Sequence, residues 1–182
     1  MHYQIAIREG LEQDLDSIAR VLVNGWRTTF RRLLSDEFLQ GMTVENQVER
    51  HRRTMLAGAA SYFVAHSRQT DAIVGFVSGG PIRHPVPRYE AELYALYLQR
   101  SFQGQGIGAK LVKTLARRMV VQEMPRMLVW VLAINPNRAF YERLGARPLT
   151  TNMLKLGPDE VEEIAYVWDD LSRLAAPVPE LS

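Results

Sequence analysis

A chain of 182 residues, 47% of them apolar, is long enough for one domain with a full hydrophobic core. Its 22 Lys and Arg against 20 Asp and Glu leave a net charge of only +2, spread without a dense basic stripe, which argues against a nucleic-acid partner. The absence of cysteine excludes disulfides, thiolate metal sites and a cysteine nucleophile, and His2, His51, His66 and His84 show no metal-ligand spacing, so no metal is expected.

Met1-His2-Tyr3-Gln4 runs straight into an alternating pattern without a signal peptide's apolar core, and no window reaches the length of a membrane span. A cytoplasmic location without a membrane partner is therefore expected. Tyr3 to Arg8 reads as a strand, and Glu12 or Asp14 caps a helix carrying Leu15, Ile18, Ala19, Val21, Leu22 and Trp26 at helical spacing. Leu33 to Gly41 predicts a short helix after Ser35-Asp36, and Thr43 opens a third helix to about Leu56. Ser61 to His66 and Ile73 to Ser78 predict a hairpin about Asp71-Ala72. Gly79-Gly80-Pro81 to Pro87 reads as a loop, and Glu92 to Leu98 as a buried central strand. A helix follows from Ile107 to about Gln122, then a buried strand, Met127 to Leu132. Asn135-Pro136 opens a helix ending at Leu144-Gly145, with glycine after its last turn. Pro148 to Leu156 and Val161 to Trp168 read as a closing pair of strands, and Ala175 to Ser182 as a frayed end. The order of elements is that of a mixed α/β sheet with helices on its faces.

The most informative stretch is Gln103-Gly104-Gln105-Gly106-Ile107-Gly108, where a buried strand turns into an amphipathic helix. Glycines let main-chain N–H groups converge and let a ligand approach, and a helix N-terminus adds free donors and partial positive charge. Together they suit a phosphate or pyrophosphate; a tight structural turn is the plainer alternative. Gly104, Gly106 and Ala109 formally satisfy the dinucleotide fingerprint, which would make the chain a nicotinamide-dependent oxidoreductase. That reading fits poorly, because the strand ends near Leu98, well before Gly104, and Met127 to Leu132 contains no acid for a ribose. A P-loop fails outright, since no Gly-Lys-Ser/Thr follows.

The same hexapeptide resembles the Q/R-x-x-G-x-G/A signature of the GNAT superfamily of N-acetyltransferases. Asn135 followed by Phe140-Tyr141-Glu142 and Gly145 is similar to that family's second signature, although Arg138 stands where alanine is commoner. Ile7-Arg8, the tract about Trp26, Val74-Gly75-Phe76 and Glu92 to Tyr97 extend the resemblance over Tyr3 to Trp168. It implies one domain over residues 1–170 with a tail at 171–182, and a mostly antiparallel sheet splayed between its two central strands. It also implies acetyl-CoA as acyl donor, direct transfer to an amine of a small molecule or protein, and a pyrophosphate on the amides of Gln103, Gly104, Gln105, Gly106, Ile107, Gly108 and Ala109. Leu96, Tyr97 and Leu98 would offer main-chain hydrogen bonds to the pantetheine arm beside Asn135, with a carbonyl donor near Leu98, where the strand bulges. A homodimer is left open, and a non-catalytic acyl-CoA-binding sensor is the alternative from another class.

Transfer needs the thioester held against the amine, a proton acceptor, a donor to the carbonyl oxygen and a donor to the leaving thiolate. By the resemblance Glu92, eleven residues before Gln103, is the base and Tyr141 the acid. Their bland alternatives are a strand Glu in a salt bridge with Arg88 or a helix-borne Arg, and a tyrosine packed on the core. Trp26, Phe30 and Tyr94 are the candidates for the acceptor wall, although aromatics there are more often core.

Overall fold

From residue 4 to residue 176, the span described by the computed structural model, thirteen helices and strands follow one another. They are β1 (Ile5–Glu9), α1 (Leu15–Thr29), α2 (Asp36–Gly41), α3 (Val44–Leu56), β2 (Ser61–Ser67), β3 (Ala72–Pro81) and β4 (Ala91–Leu98). Then come α4 (Ile107–Val121), β5 (Met127–Leu132), α5 (Ala139–Arg143), β6 (Arg147–Leu156), β7 (Asp159–Trp168) and α6 (Ser172–Ala175). The strands form one sheet in the order β1-β2-β3-β4-β5-β7-β6. Only β4 and β5 run parallel; every other neighbouring pair is antiparallel. The expected mixed, mostly antiparallel sheet flanked by helices is the fold found.

Two cores sandwich the sheet, each built from one apolar stripe. Leu111, Leu115 and Met119 of α4 pack with Val77, Leu93, Met127 and Val129 on one face. Ile18, Val21 and Leu22 of α1 pack with Val64 and Phe76 on the other. The turn before α1 is held by Asp14, whose carboxylate accepts two hydrogen bonds from Arg8, at 2.7 and 2.9 Å, and one from the Leu11 amide at 2.9 Å. Asp14 thus anchors that turn rather than capping α1 with its side chain. Ser35 does cap α2, accepting from the Phe38 amide, and its own amide and hydroxyl donate to Asp159 at 2.9 and 2.7 Å. That ties α2 to the start of β7.

Three expectations need correction. Gly79-Gly80-Pro81 is strand, not loop: β3 continues through it against Leu93, Glu92 and Ala91. The glycines are there because neighbours crowd them, the Glu92 main chain and Leu115 at Gly79 and the Ala59 main chain and the Tyr94 hydroxyl at Gly80, not because the chain turns. The helix expected from Asn135 begins only at Ala139. The Asn135 side chain takes the Asn137 amide at 2.9 Å and closes a turn of its own instead of capping the helix. The expected tail from residue 171 starts as α6, with Leu171 and Leu174 buried in the α4 core, so the domain runs past residue 170. Tyr3 and the end of the tail, residues 177–182, lie outside the described residues.

A Cβ on Gly79 would stand 2.7 Å from the Glu92 carbonyl oxygen and 2.7 Å from a Leu115 methyl, and the strand oxygen has nowhere to retreat. We expect Gly79→Ala to cost about 1–3 kcal/mol of stability, the usual range for overpacking. Urea unfolding with an unchanged m-value is the check.

Candidate functional site

The parallel pairing of β4 and β5 covers only Ala91 to Leu93 against Met127 to Val129. Beyond it β4 stays with β3 and β5 with β7, so the two strands part. The divergence starts at a bulge. Ser78 opposes Ala95 and Gly79 opposes Leu93, leaving Tyr94 as the extra residue. Its consequence is a change of phase. Leu93, Leu96 and Leu98 face the α4 core, whereas Ala95 and Tyr97 pack on the α1 side. The bulge lies at Tyr94, four residues before the Leu98 position expected for it. Main-chain groups of residues 94–98 on the β5 side have no strand partner among the described residues, which leaves hydrogen-bonding capacity along the gap.

A cleft of about 1540 Å³ opens at this parting. A single drug-sized ligand needs roughly 300–1,000 Å³, so two substrates can be held at once. At one end lies the glycine turn. Gly104 and Gly106 both have φ +76°, and nothing lies within 4 Å of where a Cβ would stand on either. The turn therefore presents bare, exposed main chain in a conformation that disfavours other residues. No side chain caps α4, whose first internal hydrogen bond is Lys110 N to Gly106 O, so the amides before it are free for a ligand. The Gln103 side chain donates to Leu98 O at 3.0 Å and braces the turn against the end of β4.

Tyr141 enters from α5, which packs on the start of α4 through Phe140 against Gly108. Its ring lies nearly parallel to Tyr166, centroids 6.2 Å apart, and edge-on to Trp168 at 6.3 Å. The phenol borders the cleft and makes no hydrogen bond among the described residues. Burial pushes it above the ordinary tyrosine range, so it stays protonated at neutral pH.

The other arm of the cleft is walled by Trp26, Phe30 and Phe38, with Trp26 4.9 Å from Phe30 and 5.6 Å from Phe38. Phe30 is also core, packing with Leu34, Leu39 and Leu132. Tyr94 lies under the Arg83 guanidinium, 4.7 Å from its centre. Glu92 is only 2% exposed. Its oxygens accept from the Arg83 amide at 3.0 Å, from Arg83 Nε at 3.1 Å and from Arg83 Nη2. The salt bridge weighed for Glu92 is thus real, but its partner is Arg83 of the β3–β4 loop, not Arg88 or a helix arginine. Glu163 of β7 faces the same arm.

Of the expected residues, Glu92, Tyr94, Leu96, Tyr97, Leu98, Gln103, Gly104, Gly106, Gly108, Ala109, Asn135, Tyr141, Trp26 and Phe30 all border this one cleft. Gln105 and Ile107 do not: the Gln105 side chain turns back to Ser101 O at 3.1 Å, and Ile107 is buried in the α4 core. Arg83, Glu163, Asn152 and His51 border the cleft without having been expected. Glu163 had a readable signal. Consecutive acids Glu162-Glu163 in a strand take opposite faces, because successive side chains alternate, so one of them lies on the face toward α1. Among the described residues no helix is long and apolar enough to cross a membrane, and no three His, Asp or Glu are grouped to hold a metal.

The acetyltransferase (GNAT) family profile matches residues 26–146. The chain is 30% identical over 170 residues to the N-acetyltransferase YuaI of Bacillus subtilis (strain 168), covering 93% of this chain and 96% of that protein. In fold it is similar to a PaiA N-acetyltransferase from Thermoplasma acidophilum solved in complex with coenzyme A, with TM-score 0.68, 20% identity and coverage of 88% of this chain and 98% of that one. A ribosomal-protein-alanine N-acetyltransferase from Brucella melitensis gives TM-score 0.70 at 20% identity, covering 90% of this chain and 98% of that one.

His51 offers a test of how dry the inner wall is. It is 7% exposed, with Nδ1 2.9 Å from the Tyr62 hydroxyl and Nε2 unpartnered among the described residues. Burial pushes the imidazole down to about 4 and the Tyr62 phenol up to about 12. The folded value lies below the unfolded value, near 6.5, so the unfolded chain takes the proton first. The stability associated with neutral His51 is complete above about pH 6.5 and drains as pH falls toward about 4, by roughly 3 kcal/mol. In His51→Gln, unfolding free energies measured between pH 4 and 7 are expected to follow a shallower slope than wild type.

Proposed function

Because the chain belongs to the acetyltransferase (GNAT) family and is an acetyl-CoA-dependent N-acetyltransferase, we propose that its cleft is divided between the two substrates at the parting of β4 and β5. The glycine-turn end takes acetyl-CoA and the aromatic end takes the amine. The observation that carries the division is the gap itself: unpaired strand backbone of residues 94–98 leads from a bare glycine turn to the buried Tyr141 phenol. The residues fit the donor. Gly104 and Gly106 leave open space where side chains would block a diphosphate, and the free amides of the first turn of α4 converge there. The Thermoplasma relative, solved with coenzyme A, supports the same use of the cleft.

In this reading the amides of Gly104 to Ala109 hold the diphosphate, the Gln103 amide being taken by Arg100 O at 3.2 Å, and the main chain of Leu96 to Leu98 pairs with the pantetheine arm as a strand would. An unpaired N–H of that stretch points a donor at the thioester oxygen, where charge grows as nitrogen attacks. Nitrogen bonds to the carbonyl carbon, the C–S bond breaks, and the electron pair goes to sulfur. Tyr141, neutral through its burial, donates a hydrogen bond into the charge growing on sulfur. Asn135 shapes the turn beside it. Glu92 cannot easily be the base assigned to it by resemblance, because three donors of Arg83 already occupy its two oxygens. It serves instead as a positioning residue that holds the Arg83 loop over Tyr94. The acceptor is an amine of a small molecule or a protein, and the setting is cytoplasmic.

Thiol release from acetyl-CoA over a panel of amines, beside calorimetric titration with acetyl-CoA and with NADH, tests the reading. Binding of acetyl-CoA but not NADH, with thiol released, is expected. Binding without release from any amine returns the protein to a sensor. Tyr141→Phe is expected to lower kcat by about 100-fold or more, the usual weight of a general acid, with the acetyl-CoA Kd unchanged. Gly106→Ala, forced into a left-handed conformation, is expected to do the reverse and weaken acetyl-CoA binding.

A further inference from the structure

Two carboxylates share the acceptor face of the sheet, and their surroundings differ sharply. Glu92 pairs in register with Leu128, and Glu163 with Leu132, at the far end of the same strand β5. Glu92 accepts three hydrogen bonds from Arg83 and is ion-paired with it. Glu163 joins no ion pair among the described residues and accepts only one long contact, from Asn152 Nδ2 at 3.4 Å. It is half-buried, while its neighbour Glu162 is exposed on the other face. Its register partner Leu132 packs against Phe30, so the free carboxylate stands beside the wall formed by Trp26, Phe30 and Phe38.

We propose that Glu163, not Glu92, receives the proton of the acceptor ammonium, so that the acceptor is a cationic amine on an apolar stem, held between this carboxylate and the aromatic wall. The proposal rests on the acetyl-transfer reading above. A protonated amine is the ligand that both features recognise: the carboxylate by charge and the rings by their negative faces. The groups facing Glu163 are Glu92 from β4, Arg83 and His84 from the β3–β4 loop, and Asn152 from β6. Burial raises the Glu163 carboxyl above the ordinary range and the charge of Glu92 adds to this, while Asn152, Arg83 and His84 pull the other way; the balance is upward. A carboxylate raised in this way is a better proton acceptor than an exposed one. The proton balance closes. One proton passes from R–NH3+ to Glu163, leaving R–NH2 to attack the thioester carbon. Sulfur gains the Tyr141 proton as the C–S bond breaks. The second nitrogen proton restores Tyr141, and Glu163 releases its proton to water.

The test uses 2-phenylethylamine and acetyl-CoA. Wild-type kcat/KM for total amine is expected to level off once Glu163 is ionised. Glu163→Gln is expected to fall by about 100-fold or more at pH 7, within the usual range for loss of a general base. Its deficit then closes with unit slope as pH rises toward the pKa of the amine, and its acetyl-CoA Kd stays within twofold of wild type. A variant profile that superimposes on wild type, or lies below it by the same factor at every pH, overturns the proposal. A readout free of turnover accompanies it. In protein carrying 13C at the glutamate carboxyls, the resonance lost in Glu163→Gln is expected to titrate above the ordinary glutamate value of about 4.3, and to move down in Glu92→Gln. Titration at or below the ordinary value overturns the proposal even if the amine is acetylated. Failure of wild type to bind acetyl-CoA, with the resonance still raised, strikes the acetyl-transfer reading rather than the assignment of the carboxylate.

Discussion

The early end of hydrogen bonding between β4 and β5 is the constraint on which the cleft depends. A sheet normally satisfies its backbone by continuing its ladders, and a buried unpaired backbone group costs about 1–3 kcal/mol. Here the pairing stops after three residue pairs, yet neither strand is loose. β4 is held along its length by β3 and β5 by β7, while Leu93, Met127 and Val129 close the core beneath the fork. The unpaired groups are therefore fixed in direction before any ligand arrives. Such preorganisation is worth more than the same groups on a mobile loop, because the ordering cost is met in folding and not in binding.

The bulge at Tyr94 does more than part the strands. It shifts the phase of β4, so that Glu92 and Tyr97 lie on the same, α1 side although they are five positions apart, which regular alternation forbids. The charge of Glu92 is then buried and has to be answered. Arg83 answers it with side chain and main chain together, and this holds the β3–β4 loop against the sheet. A buried ion pair of this kind adds little net stability, since desolvation offsets most of its attraction, but removal of one partner is costly. Its value here is geometric: it commits Arg83 to Glu92, and the second carboxylate, on β7, feels that cation only at longer range and forms no ion pair among the described residues.

Features set by local chemistry were legible in the sequence. Thr43 marked the start of α3, Met127 to Leu132 matched β5 residue for residue, and the glycines at 104 and 106 marked the turn into α4. Local cues also misled. Gly79-Gly80-Pro81 has the composition of a loop, but the glycines answer close approaches, of the Glu92 main chain at Gly79 and the Ala59 main chain at Gly80, that depend on long-range pairing. Asn135-Pro136 has the composition of a helix start, but the asparagine side chain spends its oxygen on a turn two residues long. Arg83 and the role of Glu163 lie beyond local reading, because each is defined by a partner on another strand. Only the doubled acid at 162–163 hinted that two carboxylates take opposite faces of the sheet.

At the C-terminal end of β5 the proposed acid and the proposed base approach from different elements and need not interfere. Tyr141 reaches the fork from α5, beyond the C-terminal end of β5, and keeps its proton because burial disfavours the phenolate. Glu163 approaches from β7, across the same strand end, where burial is incomplete and Glu92 disfavours a second charge. Both groups are pushed toward their neutral forms, but from different starting values. The phenol therefore remains a donor throughout the neutral range, while the carboxyl, starting several units lower, can still ionise and accept. The proposed opposite roles thus rest on the different intrinsic acidity of the two side chains, with desolvation pushing both the same way. The fold's contribution is to bring both to one cleft at the parting of the sheet, and in the proposed reaction nitrogen loses a proton to one as sulfur is met by a donor on the other.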